Sequence, residues 1–390
     1  GWPRGRIALR EWLPVIVLMC CTFVFNTSEF IPIGLLSDIA ADFGITEARS
    51  GLLITVYAWV VALVSLPLML AVARMECRRL MLGVLGLFIA SHVLSGLSSS
   101  YAMLMASRIG VACAHAVFWS IVSPLAVRVA PKGAQSAALG LIITGTSIAM
   151  IVGLPLGRVI GLYVGWRTTF FFIAAAVWLF LAAIFPRVPS RDTISLRKVP
   201  SLLGNPALVG VYVLTVLMVT GHYTGYSYIE PFLAQVAGLD NDWITWVLTA
   251  FGLVGIVGSL WFSRDYEKRP YAFMRFAVVG IAFFLLLLRF SAFGHFPVVA
   301  LCICWGLAIT IFNLVFQSEI IRLAPEATAI AMSVYSGIYN VGIGAGALVG
   351  GFVCTHASIA RIGYAGGTIA LLAALFCLVR LVPLLKRSRG

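Results

Sequence analysis

The chain is a succession of long apolar segments separated by short polar ones. A helix that crosses a bilayer needs about 20 apolar residues, and this length predicts twelve spans here. They are expected near 13–36, 50–73, 80–98, 101–126, 136–157, 166–186, 207–233, 243–263, 272–290, 297–318, 328–353 and 362–385. The longest polar connection follows the sixth span. The pattern predicts an N-terminal six-helix half over 1–188, a cytoplasmic linker over 189–205 and a C-terminal six-helix half over 206–390.

The composition agrees with an all-α membrane protein. Hydrophobic residues make up 61% of the 390 and charged residues 11%, and the mean hydropathy is +1.04, which is too apolar for a soluble fold. The net charge of +13 does not indicate nucleic-acid binding, because the basic residues interrupt apolar runs instead of clustering on a polar face. The cysteines form no CxxC motif and no metal-ligand spacing with histidine. We expect no metal and no cofactor.

The basic residues also predict an orientation. Most of the 27 lysines and arginines lie in connections on the side of the N-terminus. By the positive-inside rule, both termini and the middle linker are expected in the cytoplasm. The first apolar run continues past Glu29, and no small-residue cleavage site follows it. We therefore expect a retained first span and not a signal peptide.

The two halves resemble one another. RVAP at 128–131 precedes the fifth span, and RLAP at 322–325 precedes the eleventh, 194 residues later. Each motif leads into a glycine-rich span. Repeated halves with a binding site between them are typical of transporters that alternate access between the two sides of a membrane.

Glu29 lies inside the first span, in the stretch FNTSEFIPIGLL. A carboxylate in hydrocarbon costs about 3 kcal/mol on insertion scales, so such residues usually have a function. Pro32 and Gly34 loosen the same helix, which is tolerated where a span lines a cavity. We predict that Glu29 is the ion-coupling group. The alternative is a structural carboxylate held by a basic partner.

The fourth span places Arg108, His115 and Trp119 on one helical face. Arg108 is expected at a depth similar to that of Glu29, so the two charges are predicted to interact across a cavity. A change in their separation would change proton affinity. Histidines titrate near physiological pH, and His115 completes the predicted proton-coupling set. The alternatives are a permanent ion pair between spans one and four, and a histidine that only packs.

Polar and aromatic side chains near mid-span predict a substrate cavity. They are Asn26, Tyr57, Trp59, His115, Trp119, His222, Tyr223, Tyr226, Glu230, Asn313, Gln317, Tyr335, Tyr339 and Asn340. Amides and histidines can meet hydroxyl groups, and aromatic faces can cover C–H surface, so a neutral polyhydroxylated solute is favoured. The alternative for each aromatic residue is packing or a place at the membrane interface.

The fifth span reads GTSIAMIVGLPLGRVIG. Gly145, Gly153 and Gly157 allow close helix contact and Pro155 bends the helix, so we predict a gating face pressed against a neighbour from the other half. Ordinary glycine packing is the alternative. The chain has no HExxH, no GxSxG and no phosphate-binding loop, so neither a membrane protease nor an ATP-driven pump is supported, and we expect no enzyme.

Several motifs resemble the major facilitator superfamily and its drug/proton antiporter group. The RIG at 108–110 resembles the arginine–glycine motif of the fourth span, 145–161 resembles the antiporter motif of the fifth, and 165–170 resembles the GWRxxF that opens the sixth. The loop between spans two and three departs from the family pattern, because its glycine and aspartate are replaced over 65–76. The resemblance implies twelve transmembrane helices in two pseudo-symmetric halves, which is the major facilitator fold.

More narrowly, spans one, two, four, five and seven are similar to bacterial sugar efflux transporters, for example in RIGVACAHAVFWS and HYTGYSYIEPF. The similarity implies proton-driven export of arabinose-like sugars or galactoside analogues across the bacterial inner membrane, and it supports roles for Glu29, Arg108 and His115. The expected partners are a sugar, protons and the lipid bilayer, and the chain is expected to be a monomer. The alternative is a multidrug/proton antiporter that exports lipophilic cations or other small metabolites.

Overall fold

A computed structural model of the chain describes residues 6–72, 75–181 and 199–390, and these residues form helices and no strand. The helices before the predicted linker are α1 (Arg6–Gly34), α2 (Leu36–Phe43), α3 (Glu47–Val72), α4 (Cys77–Gly96), α5 (Tyr101–Val129), α6 (Gln135–Ile148), a π-helix (Ala149–Gly153), α7 (Leu154–Val164) and α8 (Trp166–Leu181). Those after residue 198 are α9 (Val199–Leu203), α10 (Pro206–Tyr226), α11 (Ile229–Gln235), α12 (Asn241–Asp265), α13 (Pro270–Ser291), α14 (His295–Leu323), α15 (Thr328–His356), a 3₁₀-helix (Ile359–Arg361), α16 (Ile362–Phe376), a second π-helix (Cys377–Leu381) and α17 (Val382–Arg389).

Eleven helical segments of the described chain are long and apolar enough to cross a membrane. The predicted sixth span corresponds to α8, and its remainder, 182–186, lies outside the described residues. Most of the predicted linker, 189–198, also lies outside them. The all-helical, multi-span architecture is therefore confirmed, while the boundaries of the linker stay a prediction.

The seventh span, predicted as one helix over 207–233, is interrupted, and the first span, predicted over 13–36, ends at Gly34 and is followed by a second helix. The chain leaves α1 at Gly34 and continues as α2 after Leu35, and it leaves α10 at Tyr226 before α11 begins. The carbonyl group of Gly34 at the end of α1 accepts a hydrogen bond from Arg158 Nη1 at 2.6 Å. The arginine satisfies one of the acceptors that a helix end leaves open.

The predicted repeat is visible in where the helices begin. α3 and α12 begin at residues 47 and 241, and α5 and α14 begin at 101 and 295. Both separations are 194 residues, equal to the separation of the two sequence motifs before the fifth and eleventh spans. The two halves are therefore built on the same helical plan.

The chain divides into two compact units. Unit 1 takes its described residues from 1–34 and 63–193, and unit 2 from 35–62 and 194–390. Within unit 1, α1 packs against α6, and α4 packs against α5 and α8. Within unit 2, α10 packs against α15 and α16, and α13 packs against α14 and α16. In each unit, the first long helix of one half lies beside the glycine-rich helix of that half.

Candidate functional site

The centre of unit 1 is built around Pro32 in α1. Proline has no backbone N–H, so the carbonyl group of Ser28, four residues earlier, loses its usual helical donor. Arg108 of α5 supplies donors in its place, with Nη2 at 2.8 Å from the Ser28 carbonyl oxygen and Nη1 at 3.2 Å from Ser28 Oγ. Arg108 is only 1% exposed. The proline thus creates the acceptor that holds a buried arginine between α1 and α5.

The hydrogen bonds continue from Ser28 to His92 in α4. Ser28 Oγ lies 2.7 Å from His92 Nε2, and His92 Nδ1 lies 2.8 Å from the Phe88 carbonyl oxygen. A carbonyl group can only accept, so Nδ1 carries the ring proton and Nε2 accepts from the Ser28 hydroxyl. His92 was not predicted as a site residue from the sequence. The available signal was that His92 is the only titratable side chain in the predicted third span, 80–98.

Glu29 directly follows Ser28, and its side chain is 12% exposed. Its Oε2 lies 3.8 Å from His115 Nδ1, which is longer than a hydrogen bond. No hydrogen bond reaches this carboxylate from any residue that the structure describes. Arg108 interacts electrostatically with Glu29 and His115, but its two terminal nitrogens donate to Ser28. Arg108 thus acts on Glu29 through its charge, and the alternative of a permanent ion pair between spans one and four stays a prediction.

Trp119 and Asn26 differ in how their polar atoms are used. The Trp119 ring lies 6.1 Å from the His115 ring. Its Nε1 is buried and has no hydrogen-bond partner among the described residues. The Asn26 Nδ2, in contrast, donates to the Thr22 carbonyl at 3.1 Å and to Thr146 Oγ1 at 3.2 Å. Trp119 retains a free donor beside His115, while the Asn26 amide group joins α1 to α6.

In unit 2, His222 and its neighbours form an aromatic cluster. His222 is 2% exposed, and its Nδ1 accepts a hydrogen bond from Trp305 Nε1 at 3.0 Å. Its ring stacks on Tyr226 at 5.3 Å, and Tyr226 stacks on Phe251 at 4.8 Å. The Tyr223 ring meets the Tyr226 ring edge-on at 5.8 Å. This arrangement fits the packing alternative for His222, and it includes Trp305 and Phe251, which the sequence analysis did not single out.

A second polar group of unit 2 comes from α14 and α15. Gln317 lies beside the Tyr335 hydroxyl, and the Tyr335 and Tyr339 rings are 5.7 Å apart. The Asn340 Nδ2 donates to a carbonyl group one turn earlier at 2.9 Å. The side-chain oxygens of Asn340 and Asn313 are buried and accept no hydrogen bond from the described part of the chain. Buried acceptors without donors are uncommon, and they indicate places where a ligand donor would fit.

Three other predicted residues lie where residues 35–62 pack against the C-terminal helices. Tyr57 of α3 is 3% exposed. Trp59 Nε1 donates to the Val341 carbonyl oxygen of α15 at 3.1 Å. Glu230 accepts from the backbone N–H and the hydroxyl of Ser37 at 3.3 and 2.7 Å. Trp59 and Glu230 are therefore engaged in contacts between helices.

The predicted gating residues face α1. A Cβ atom would overlap Thr22 at Gly145, Thr27 at Gly153 and Ile31 at Gly157. The neighbour at these glycines is thus the first helix of the same unit, and not a helix of the other half as the sequence analysis expected. The reason is that the glycines recur along the face that α6 and α7 turn toward α1. Pro155 follows the π-helix Ala149–Gly153, a local widening that is frequent at functional sites.

A cavity of about 490 Å³ lies between 46–52 and 347–356 in unit 2. Its lining contains none of the predicted substrate-binding residues in the described chain. We therefore do not identify this cavity with the predicted substrate site.

Comparison with known proteins identifies the family. The family model described as Major Facilitator Superfamily matches residues 18–331. The crystal structure of a bacterial homologue of the human lysosomal transporter Spinster, in an inward-facing and unoccupied conformation, superimposes with a TM-score of 0.69 at 13% identity, over 99% of this chain and 98% of that one. At this identity the likeness shows the fold alone. Because the family match spans most of the sequence, the chain belongs to the major facilitator superfamily, whose members are multi-pass membrane transporters.

Proposed function

We propose that the protein exports small neutral sugars, of the arabinose-like or galactoside-analogue type, in exchange for protons. Transport would cross the bacterial inner membrane by alternating access, with both termini in the cytoplasm. Membership of the superfamily supports a transporter. The similarity of five spans to sugar efflux transporters, and the side chains of the two units, support the narrower proposal.

The Glu29 carboxylate is the observation that carries the proton-coupling part. It is largely buried in a helix long and apolar enough to span a membrane, and its Oε2 lies 3.8 Å from His115 Nδ1. A carboxylate fixed by several hydrogen bonds would have to break them to accept a proton. Glu29 receives none from the described residues, and Arg108 Nη1 and Nη2 donate to Ser28 instead. It can therefore bind and release a proton without breaking the hydrogen bonds among Arg108, Ser28 and His92.

The substrate class is supported by buried polar atoms that lack partners. Trp119 Nε1 is such a donor, and the side-chain oxygens of Asn313 and Asn340 are such acceptors, among the residues described. A sugar hydroxyl both donates and accepts, so hydroxyl groups can satisfy either kind of atom. Aromatic faces such as that of Trp119 can cover the C–H surface of the same solute. None of these atoms requires a charged ligand.

A rival function is export of lipophilic cations. The observation that favours it is the position of Glu29, which lies beside the rings of His115 and Trp119 and could pair with a cationic ligand. Such a transporter would protect cells against cationic dyes without changing intracellular pentose.

Labelled arabinose uptake into inside-out vesicles with an acidified lumen separates these proposals. The intact protein should accumulate arabinose only when the gradient is imposed, and Glu29→Gln should lose the accumulation but keep exchange of labelled for unlabelled sugar. Glu326→Gln is the matched control, because Glu326 is an exposed carboxylate before α15, and it should behave as the intact protein does. Transport of a cationic dye without any arabinose movement would favour the rival.

A further inference from the structure

Glu230 of α11 caps the N-terminus of α2, a helix from the other half of the sequence. The Glu230 side chain is buried, with the residue 4% exposed. Its Oε2 accepts from the Ser37 backbone N–H at 3.3 Å and from the Ser37 hydroxyl at 2.7 Å. Ser37 is the second residue of α2, and the first N–H groups of a helix have no partner within it. Leu35, at the usual capping position, offers no side-chain cap. Glu230 therefore takes the place of a local capping residue.

The charge of Glu230 suits this position. The N-terminal end of a helix carries a partial positive charge that favours a carboxylate. Hydrogen bonds to an ionised acceptor are also stronger than those between neutral groups. The contact connects α2, which extends the first span, with α11, which extends the seventh. It thus joins the corresponding ends of the two six-helix halves, at the face that the positive-inside rule assigns to the outside.

Two other hydrogen bonds near this end, both to carbonyl groups of α15, can be lost at a lower cost than the Glu230–Ser37 contact. Thr55 Oγ1 donates to the Gly344 carbonyl at 3.0 Å, and Tyr228 Oη donates to the Ala347 carbonyl at 2.9 Å. These carbonyl groups lie inside α15, where a helical donor is already available. Separation of Glu230 from Ser37 would instead leave the N-terminus of α2 without this cap and would take two hydrogen bonds from a buried carboxylate. This contact therefore contributes more to closure than its neighbours do.

We propose that Glu230 is a positioning residue that holds the outer end closed, and that its cap on α2 breaks each time the outer end opens. The inference rests on alternating access and on the outer-face assignment in the proposed function, but not on the identity of the substrate. It gives Glu230 a different role from the substrate-binding role that the sequence suggested.

Distance measurement by pulsed electron paramagnetic resonance tests this proposal without any substrate. Nitroxide labels on Ala41→Cys and Asp242→Cys, both exposed positions, report the separation of α2 from α12 in the full-length protein in lipid nanodiscs, with the native cysteines replaced. A second pair, Asp242→Cys with Phe293→Cys, lies wholly in the C-terminal half and should keep its distance.

The variants tested are Glu230→Ala, Glu230→Gln and Ser37→Ala. The control is Gln235→Ala, which removes an exposed hydrogen bond of 2.8 Å from Gln235 Nε2 to Glu47 Oε1.

Glu230→Ala should raise the ratio of the long-distance to the short-distance population at least about tenfold, because it removes both hydrogen bonds that the carboxylate accepts from Ser37. Ser37→Ala should raise it about threefold, because the backbone donor remains. Gln235→Ala should change it less than about twofold, as exposed pairs contribute little. Equal effects of the Glu230 and Gln235 variants, or no effect of either Glu230 variant, would overturn the proposal. A changed distance in the second pair would also overturn it, because Glu230 would then maintain the fold of its own half.

Discussion

In unit 1, Arg108 of α5 donates to Ser28 of α1, and in unit 2, Trp305 of α14 donates to His222 of α10. Ser28 and His222 are 194 residues apart, the separation between the first residues of α5 and α14. Each half thus links its fourth span to the equivalent position of its first span, but the donor is a charged arginine in one half and a neutral tryptophan, three residues beyond the equivalent position, in the other. The next residue is Glu29 in the first half and Tyr223 in the second. The comparison assigns ionisable chemistry to the first half and aromatic packing to the second.

The scaffold around these links is shared. Gly145 and Gly153 bring α6 and the adjoining π-helix against α1, and Gly342 and Gly346 bring α15 against α10 in the same way. Close approach of backbones needs residues without side chains. The glycine-mediated helix packing is therefore common to both halves. The chemical difference comes from a few side chains, such as Glu29 in the first half and Tyr223 in the second.

The largest expected effect is that of Arg108→Gln. Removing the guanidinium leaves the Ser28 carbonyl without its donors and leaves Glu29 in a buried site without a nearby positive charge. Loss of one partner from a buried charged network costs about 3–5 kcal/mol. Thermal unfolding in detergent should show a large fall in midpoint for Arg108→Gln. Cys302→Ala, at the equivalent position of the second half, should cost about 1 kcal/mol, the typical effect of a point substitution. Equal losses would contradict the asymmetry.

Glycine substitutions test the shared part of the comparison. A Cβ atom at Gly145 would overlap Thr22, and one at Gly346 would overlap Tyr223. Overpacking of this kind costs about 1–3 kcal/mol. Both alanine variants should therefore lower the unfolding midpoint by similar amounts. Gly140→Ala is the matched control, because a Cβ there meets nothing within 4 Å. It should be neutral or slightly stabilising, and an equal loss in the control would show that the helix tolerates no alanine at all.

Trp305→Phe and Ser28→Ala remove the two equivalent links. Trp305→Phe leaves the buried His222 Nδ1 without a donor, at a cost of about 1–2 kcal/mol. Ser28→Ala should have a similar cost, because the Arg108 Nη1 and His92 Nε2 both lose the hydroxyl. Only Ser28→Ala should change the pH dependence of transport, since it alters the surroundings of Glu29. A changed pH profile in Trp305→Phe, measured at equal protein levels, would break the proposed division between the halves.

The smallest effect concerns the second buried carboxylate, Glu319, which unlike Glu29 is fully satisfied. It accepts from Arg322 and Arg389 at 2.7 Å each, and from the Tyr266 hydroxyl. Tyr266→Phe should cost about 0.5–1.5 kcal/mol at neutral pH, and it should leave proton coupling intact. Coupling lost in this variant would show that proton chemistry is not confined to the first half.

This contribution of Tyr266 should depend on pH in one direction. Burial and the hydrogen bond to Glu319 raise the pKa of the Tyr266 hydroxyl above its usual value. The unfolded chain therefore loses this proton near pH 10, at about the usual tyrosine pKa, while the folded chain keeps it. The stabilisation is complete below that pH and decreases as the pH rises toward the folded pKa. Unfolding curves of the intact protein and Tyr266→Phe, recorded from pH 8 to 11, should converge.

Much of the scaffold could be predicted from the sequence, because the length of each apolar segment shows a span and the spacing of the motifs shows the repeat. The spans and the repeat of 194 residues are visible in this way. The end of the first span near Leu35 was predicted to within two residues, but the break at Ser227 was not, since the apolar pattern continues across it. The partner of Arg108 was also missed. Serine in a spanning helix usually bonds to its own backbone, so Ser28 carried no signal by itself. Pro32, four residues later, was the signal that a carbonyl group there needed a donor.

The candidate site was predicted only in part, because helical periodicity shows which side chains share a face but not which ones are satisfied. It placed Arg108, His115 and Trp119 together on α5, as the structure does. It could not show that Asn26, Trp59 and Glu230 are used between helices. That difference depends on helices distant in sequence, such as α2 against α11.

In the proposed exchange, Glu29 carries the proton that moves against the sugar. The most direct test of this role is the proton movement that an arabinose gradient drives in proteoliposomes containing a trapped pH indicator. The intact protein should produce a pH change opposite in direction to the sugar flux, and Glu29→Gln should produce none while still exchanging labelled arabinose. Proton movement at the intact rate in Glu29→Gln, or sugar flux without proton movement in the intact protein, would contradict the assignment of proton coupling to Glu29.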